Sequence, residues 1–231
     1  MTGPTPLDYA AWRATRLGRV TEAVERRAVL DLAGSVEGLD VLDVGCGDGA
    51  SAVALALRGA RSSGVDISSD ALAQARRNSR AADVSIALAA ADAGRLPFPA
   101  GRFDLVISVT ALCFVASPDD AVREMARVLR PGGRVVLGEL GLLSAWGVWR
   151  RLRGRLGSHT WRSAHLWTPS TLGRLVSDAG LEPVRVRGAA YHPPCGLAAA
   201  MLEPLDALLG RTTPVGAAFL VISARKGRGA P

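Results

Sequence analysis

The sequence predicts an α/β fold wound on both faces of a parallel sheet, and three observations predict it. The apolar run Val41-Leu42-Asp43-Val44 ends at Gly45-Cys46-Gly47-Asp48-Gly49, and an Ala/Leu-rich stretch follows at 51–58. That is a short buried strand, a glycine turn and a helix. Gly64-Val65-Asp66-Ile67 then ends a second strand with a carboxylate, at the spacing of about twenty residues used for a ribose diol. Ala90-Ala91-Asp92-Ala93 does so a third time. Strands alternating with helices in this way build a sheet with a ligand site at its carboxyl edge.

Length and composition agree. The chain has 231 residues and is 48% apolar, enough for one α/β domain with its own core. No apolar run approaches the roughly eighteen residues of a spanning helix. Residues 1–6 lack a basic region followed by an apolar core, so no signal peptide is expected. Cys46, Cys113 and Cys195 are widely spaced and form no metal pattern, which points to a reducing, cytoplasmic setting. The net charge is +7, and every basic residue except Lys226 is arginine. A basic chain attracts nucleic acid or anionic membrane, although so strong an arginine bias also follows from base composition. Residues 225–231 read as a frayed tail.

The elements follow in order. Residues 7–33 carry Tyr9, Trp12 and Leu17, then Val20, Ala23, Val24, Ala28, Val29 and Leu32 at helical spacing, and Gly34 ends the helix. After the glycine turn, Ser68-Ser69-Asp70 caps a helix over 71–82. Residues 84–88 are a third strand and 103–109 a fourth, with 110–116 a loop over the carboxyl edge. Ser117-Pro118-Asp119-Asp120 starts a helix that runs to 129. Arg130-Pro131-Gly132-Gly133 turns into a fifth strand over 134–139. Thr168-Pro169 opens a helix closed by Gly180, and 183–187 and 217–224 are the last strands. Two stretches exceed this minimum. Residues 142–156 place Leu142, Leu143, Trp146, Trp149 and Leu156 on one face, with Arg150, Arg151, Arg153 and Arg155 gathered at the end. Such a helix suits a lid over the site or contact with an anionic lipid surface. Residues 191–209 begin with the rigid Tyr191-His192-Pro193-Pro194 and continue as a helix.

The glycine turn, the three strand-end carboxylates, Leu96-Pro97-Phe98-Pro99, Phe103 to Ser108 and Leu129-Arg130-Pro131-Gly132-Gly133 stand in a fixed order. Together they resemble the class I S-adenosylmethionine-dependent methyltransferases, in particular the type-11 group that includes quinone-biosynthesis enzymes. The resemblance is firm over 41–140 and looser beyond. It implies a Rossmann-like, doubly wound, seven-stranded sheet with only the last strand antiparallel. It implies one domain over 1–231, with an N-terminal helical lid at 1–35 and substrate-side insertions at 142–167 and 188–213. It also implies S-adenosylmethionine as cofactor.

By the same resemblance, Asp66 accepts the ribose hydroxyls, Asp92 and the Ala93 amide meet the adenine edge, and Ile67 packs on its face. Gly45 and Gly47 admit the ribose and methionine, Cys46 is a small neutral filler, Val109 lines the site, and Tyr9 or Trp12 covers the methionine end. Asp43 lies near the methionine ammonium. That carboxylate also separates cofactor classes, because beside a dinucleotide pyrophosphate it would repel, although Gly45, Gly47 and Ala50 satisfy the loose dinucleotide pattern. The expected reaction is methyl transfer to a small organic molecule by in-line displacement, which needs a general base only if the acceptor arrives protonated. His165 and His192, in the insertions, are the candidate bases. No metal cluster is visible. The segment after strand four, Val109-Thr110-Ala111-Leu112, lacks the Asn/Asp-Pro-Pro-aromatic sequence of many nucleobase methyltransferases. An RNA methyltransferase, an inactive scaffold and a nicotinamide oxidoreductase remain as alternatives, and peripheral membrane contact stays open.

Overall fold

The computed structural model describes residues 11–229, apart from the side chains at 203 and 207. Seven strands form one sheet in the order β3-β2-β1-β4-β5-β7-β6. In chain order, the strands are β1 (Asp40–Val44), β2 (Arg61–Asp66), β3 (Ala87–Ala90), β4 (Phe103–Val109), β5 (Leu129–Leu140), β6 (Leu181–Ala189) and β7 (Phe219–Lys226). The helices are α1 (Arg16–Ala33), α2 (Ala50–Ala56), α3 (Ser69–Ala81), α4 (Pro118–Val128), α5 (Ala145–Arg155), α6 (His159–Ser163), α7 (Pro169–Asp178) and α8 (Gly196–Thr212). Strand β7 is antiparallel to both β5 and β6 and is the only strand that runs against the others.

Alternate residues of each central strand face opposite layers, which is how the sheet buries both sides. Leu42, Val106, Val135, Leu137, Leu220 and Ile222 join Val122, Met125 and Leu172 on one face. Val41, Leu105, Ile107, Val136, Phe219 and Val221 join Ala28, Val29 and Leu55 on the other. A third, smaller group sits over the carboxyl edge: Trp146, Ala190 and Ala218, with Trp12, Leu17, Val24 and Trp149 packed around them.

Several boundaries differ from the sequence expectation, each for a local reason. Helix α1 begins at Arg16 because the Thr15 hydroxyl caps it, accepting from the Gly18 N–H at 3.0 Å. A Cβ at Gly18 would lie 2.1 Å from the Trp12 carbonyl oxygen, so only glycine permits the turn before α1. Strand β3 starts at Ala87, not at residue 84, because Asp83 takes a positive φ and the Val84 N–H bonds back to Ser79 O, closing α3. Regular pairing of β5 with β4 resumes at Arg134, after Arg130–Gly133 interrupts the register. Arg225 and Lys226 belong to β7 and not to a tail, and the Lys226 ammonium donates to Ala126 O and Leu129 O.

The largest correction is to α5. Its inward face is Trp146, Gly147, Arg150 and Gly154, while Leu143, Val148, Leu152 and Leu156 are exposed. Arg150 is therefore not part of a solvated arginine cluster. It is buried beside Trp146.

Candidate cofactor and acceptor site

The glycine turn is held from below by β2. The Gly45 and Cys46 N–H groups both donate to Val65 O, at 2.8 and 2.9 Å. The Gly47 N–H donates to Asp66 Oδ2 at 2.8 Å, and the Ser68 N–H donates to Asp66 Oδ1 at 2.8 Å. Asp66 thus braces two backbone turns, and each oxygen keeps a further lone pair. Gly45, Gly47 and Gly49 all have positive φ, at 72°, 53° and 78°. The three are not equivalent. A Cβ on Gly45 would meet Ala111 Cβ at 2.4 Å, and one on Gly49 would meet Ala75 Cβ at 2.9 Å, whereas nothing lies within 4 Å of one on Gly47. Gly45 is glycine because the loop after β4 presses on it. Gly47 borders open space.

Asp43 sits at the carboxyl end of β1, buried, with Oδ2 bonded to nothing. Burial pushes its carboxyl up to about 7, against the Ala52 N–H that favours the ionised form, and Asp66 and Asp48 push it further. Three carboxylates around one open glycine, one of them with an orphaned oxygen, fit a cationic ligand group.

Ile67 is 77% exposed and Asp92 is exposed beside it, with Asp92 Oδ1 accepting from the Gly94 N–H at 2.7 Å and Ala93 half-buried. The pairing Asp66↔Ala90 carries Asp92 next to Asp66. Val109 is half-buried at the end of β4. Cys46 is buried, and desolvation raises its thiol, so it is neutral filler rather than a nucleophile. The structure therefore brings Asp43, Gly45, Cys46, Gly47, Asp66, Ile67, Asp92, Ala93 and Val109 to one sheet edge.

Trp12 also reaches this edge, packed in the small aromatic group, while Tyr9 lies outside the described residues. The neighbouring Arg13 pairs with Asp48 of the glycine turn and with Glu22 of α1 at 3.2 Å, tying the N-terminal segment to the turn. The two histidines part company. His192 is buried, with Nδ1 facing Pro193 O at 3.0 Å and Nε2 facing Thr21 Oγ1 at 3.4 Å. Both ring nitrogens face protein oxygens, and the ring is shut off from solvent. His165 is exposed, and its N–H donates to Cys113 O beside the β4 loop.

Sequence reasoning missed Glu139. It is fully buried at the carboxyl end of β5 and accepts from the Leu112 and Cys113 N–H groups, at 3.0 and 3.2 Å. Burial pushes it up to about 8 despite those bonds. It holds the 110–113 loop, whose Thr110 takes a positive φ of 53°. A lone acid in the apolar run 135–142 was the available signal. Arg13 and Asp48 carried no comparable signal, since they meet only in the fold.

Asp43, Glu25 and Glu139 are all buried acids with raised values, about 7, 8 and 8. Raised folded-state values mean that the folded form holds the proton more tightly. Their contribution to stability is full below the unfolded values near 4 and is lost as pH rises through 7 to 8. Thermal unfolding of the cofactor-free protein is expected to show falling stability from pH 5 to 8, with a shallower fall in Asp43→Asn. A flat profile in that window would show that these acids are not raised.

An edge lined by glycine and acids at the ends of β1, β2 and β3 suits a cationic nucleoside. Comparison with known proteins specifies which. A family model described as a methyltransferase domain matches residues 42–137. The chain is 34% identical over 175 residues to the ubiquinone biosynthesis O-methyltransferase of Bordetella avium, covering 71% of each chain. It is 34% identical over 178 residues to the protein of that name from Burkholderia pseudomallei, covering 73% of this chain and 75% of the relative. A solved Thermotoga maritima S-adenosylmethionine-dependent methyltransferase, described as a possible histamine N-methyltransferase, superposes with TM-score 0.74 at 22% identity over 95% of both chains. The [4+2]-cyclase SpnF superposes with TM-score 0.65 at 23% identity, over 88% of this chain and 81% of the cyclase, so this fold by itself does not dictate one reaction.

The chain belongs to the class I S-adenosylmethionine-dependent methyltransferases. It is an enzyme of that type, and S-adenosylmethionine is its cofactor. The orphaned Asp43 oxygen and the open face of Gly47 fit that molecule. Among the described residues no group of His, Cys, Asp and Glu is placed to hold a metal, and no helix is long and apolar enough to cross a membrane.

Proposed function

We propose that the methyl acceptor is a small, partly apolar organic molecule. One observation carries the reading: the segments over the carboxyl edge turn aromatic side chains inward. Trp146, Trp149 and Trp161 form a chain of edge-on contacts, with centroids 6.0 and 6.3 Å apart. Trp167 is bonded through its backbone to Leu140 and Leu142 at the end of β5. Such a lining suits a largely apolar ligand. The relatives named for ubiquinone biosynthesis support the same class.

S-adenosylmethionine, when bound, supplies an electrophilic methyl group on sulfur. The chain's task is then positioning, which can contribute about 7–11 kcal/mol. Asp66, Asp92 and Ala93 would hold the nucleoside end and Asp43 the ammonium, with Trp12 and the N-terminal segment closing over them. Glu139 keeps the β4 loop in place over the carboxyl edge. His165, at the rim, would take the proton of an acceptor that arrives protonated. The outward Val148, Leu152 and Leu156 of α5, interleaved with Arg151, Arg153 and Arg155, suit an acceptor drawn from an anionic lipid surface.

The test is incubation with methyl-labelled S-adenosylmethionine and a cell extract, fractionated into small molecules, lipid, RNA and protein. Label in the small-molecule or lipid fraction is expected. Label confined to RNA, and lost at moderate salt, would overturn the reading.

A further inference from the structure

Among the described residues, Arg150 is the one buried cation at the carboxyl edge that neither the fold nor the cofactor site accounts for. It is 6% exposed. Its guanidinium rests against two indoles, 5.2 Å from the Trp146 ring and 5.5 Å from the Trp161 ring. Its hydrogen bond is from Nη1 to Ala218 O, at 3.2 Å. Nε is buried with no partner. Among the described residues it forms no ion pair with a carboxylate. A guanidinium stays charged at any relevant pH, and a buried charge with no counter-ion is costly.

Its position matters as much as its lack of a partner. The Ala218 oxygen that Arg150 bonds also accepts from the Gly141 N–H at 2.8 Å, directly beyond the end of β5. The Gly141 segment pairs in turn with Trp167, whose indole Nε1 is also buried and unpartnered. The Cys113 loop over β4 and Glu25 of α1 are the neighbours whose fields Arg150 feels. Arg150 thus stands between the β4 loop and the N-terminal helix, over the carboxyl edge of the sheet. Burial pushes Glu25 up against the pull of Arg150, and no ion-pair contact joins the two side chains.

We infer that the Nε–Nη2 edge of Arg150, among Trp146, Trp161 and Trp149, binds the carboxylate of an aromatic or otherwise apolar organic acid, making organic anions the acceptor class. The inference deepens, and rests on, the small-molecule reading. Two parallel N–H···O bonds from Nε and Nη2 match a carboxylate, and the indoles match a flat apolar body. A neutral amide of the same shape offers one acceptor oxygen and puts an N–H against a cation.

Benzoate and benzamide are matched probes. They are titrated against the wild-type protein saturated with S-adenosylhomocysteine, by calorimetry and by tryptophan fluorescence. Benzoate is expected to bind about tenfold or more tightly than benzamide, the margin of a hydrogen-bonded charged pair. That preference is expected to vanish in Arg150→Gln and to persist in weakened form in Arg150→Lys, with S-adenosylhomocysteine affinity unchanged in both. Equal binding of the two probes, no binding of benzoate, or a preference retained in a folded Arg150→Gln would each overturn the inference. The wild-type comparison needs no variant, so misfolding of either variant leaves the test intact. The outcome is separable from the small-molecule reading, which the labelled-methyl fractionation decides without reference to Arg150.

Discussion

Asp66→Ala is expected to weaken S-adenosylmethionine binding by at least about 1.5–3 kcal/mol, the range for hydrogen bonds to a charged group, and to lower thermal stability too. The second effect follows from the structure. Asp66 accepts from the Gly47 and Ser68 N–H groups, and alanine leaves both donors without that acceptor. A half-exposed donor recovers part of its loss from water, so the stability cost stays at about 1–2 kcal/mol. The glycine turn also loses the brace that sets its shape, so cofactor affinity falls by more than the ribose bonds alone. Calorimetric titration and thermal unfolding of the same variant separate the two. Unchanged affinity in a destabilised protein would make Asp66 a turn brace only, with no cofactor contact.

The second large effect is a contrast between two glycines of one turn. Gly45→Ala is expected to cost about 1–2 kcal/mol for a side chain in the left-handed region. Forcing Ala111 away costs about 1–3 kcal/mol more, since the new Cβ would stand 2.4 Å from that methyl. In a protein of this size, each kcal/mol lowers the melting temperature by about 2–4 °C, so this variant is strongly destabilised. Gly47→Ala carries only the backbone penalty, because its Cβ meets no atom within 4 Å. It is expected to melt only about 2–8 °C below the wild type, yet to lose S-adenosylmethionine binding about tenfold or more, because the added methyl group would fill the open space over this glycine. Normal cofactor affinity in Gly47→Ala would show that the cofactor does not pass over this glycine.

Both predictions rest on residues legible in the chain itself, and there is a physical reason for that legibility. The cofactor edge is built from strand ends and the turns that follow them. Each carboxylate is placed by its own strand: Asp43 by β1, Asp66 by β2 and Asp92 by the turn after β3. Parallel pairing with short crossovers then brings successive strand ends together without further information. Local spacing is enough to find such a site. The doubly wound layers were equally legible, because alternate apolar residues along each central strand must face two covered sides.

The acceptor side was decided only by tertiary structure. A helical pattern over 142–156 gives a periodicity but not its phase against the sheet, and amphipathic counting put the leucines inward and Arg150 outward. In the fold, Gly147 and Gly154 pack closely on their neighbours, with a Cβ on Gly154 only 3.0 Å from the Trp161 backbone. That close approach turns the Trp146–Arg150 face inward and leaves Leu152 and Leu156 exposed. His192 meets Thr21, 171 residues away, at its second nitrogen, a contact that no local pattern announces. Glu139 is a strand acid whose function exists only because the 110–113 loop folds back over it. The sequence alone determined the family, the sheet and the row of strand-end carboxylates, since these follow from neighbours within one strand–turn–helix unit. Which charges are buried over the carboxyl edge depends on contacts between segments far apart in the chain, and only the packed structure sets those.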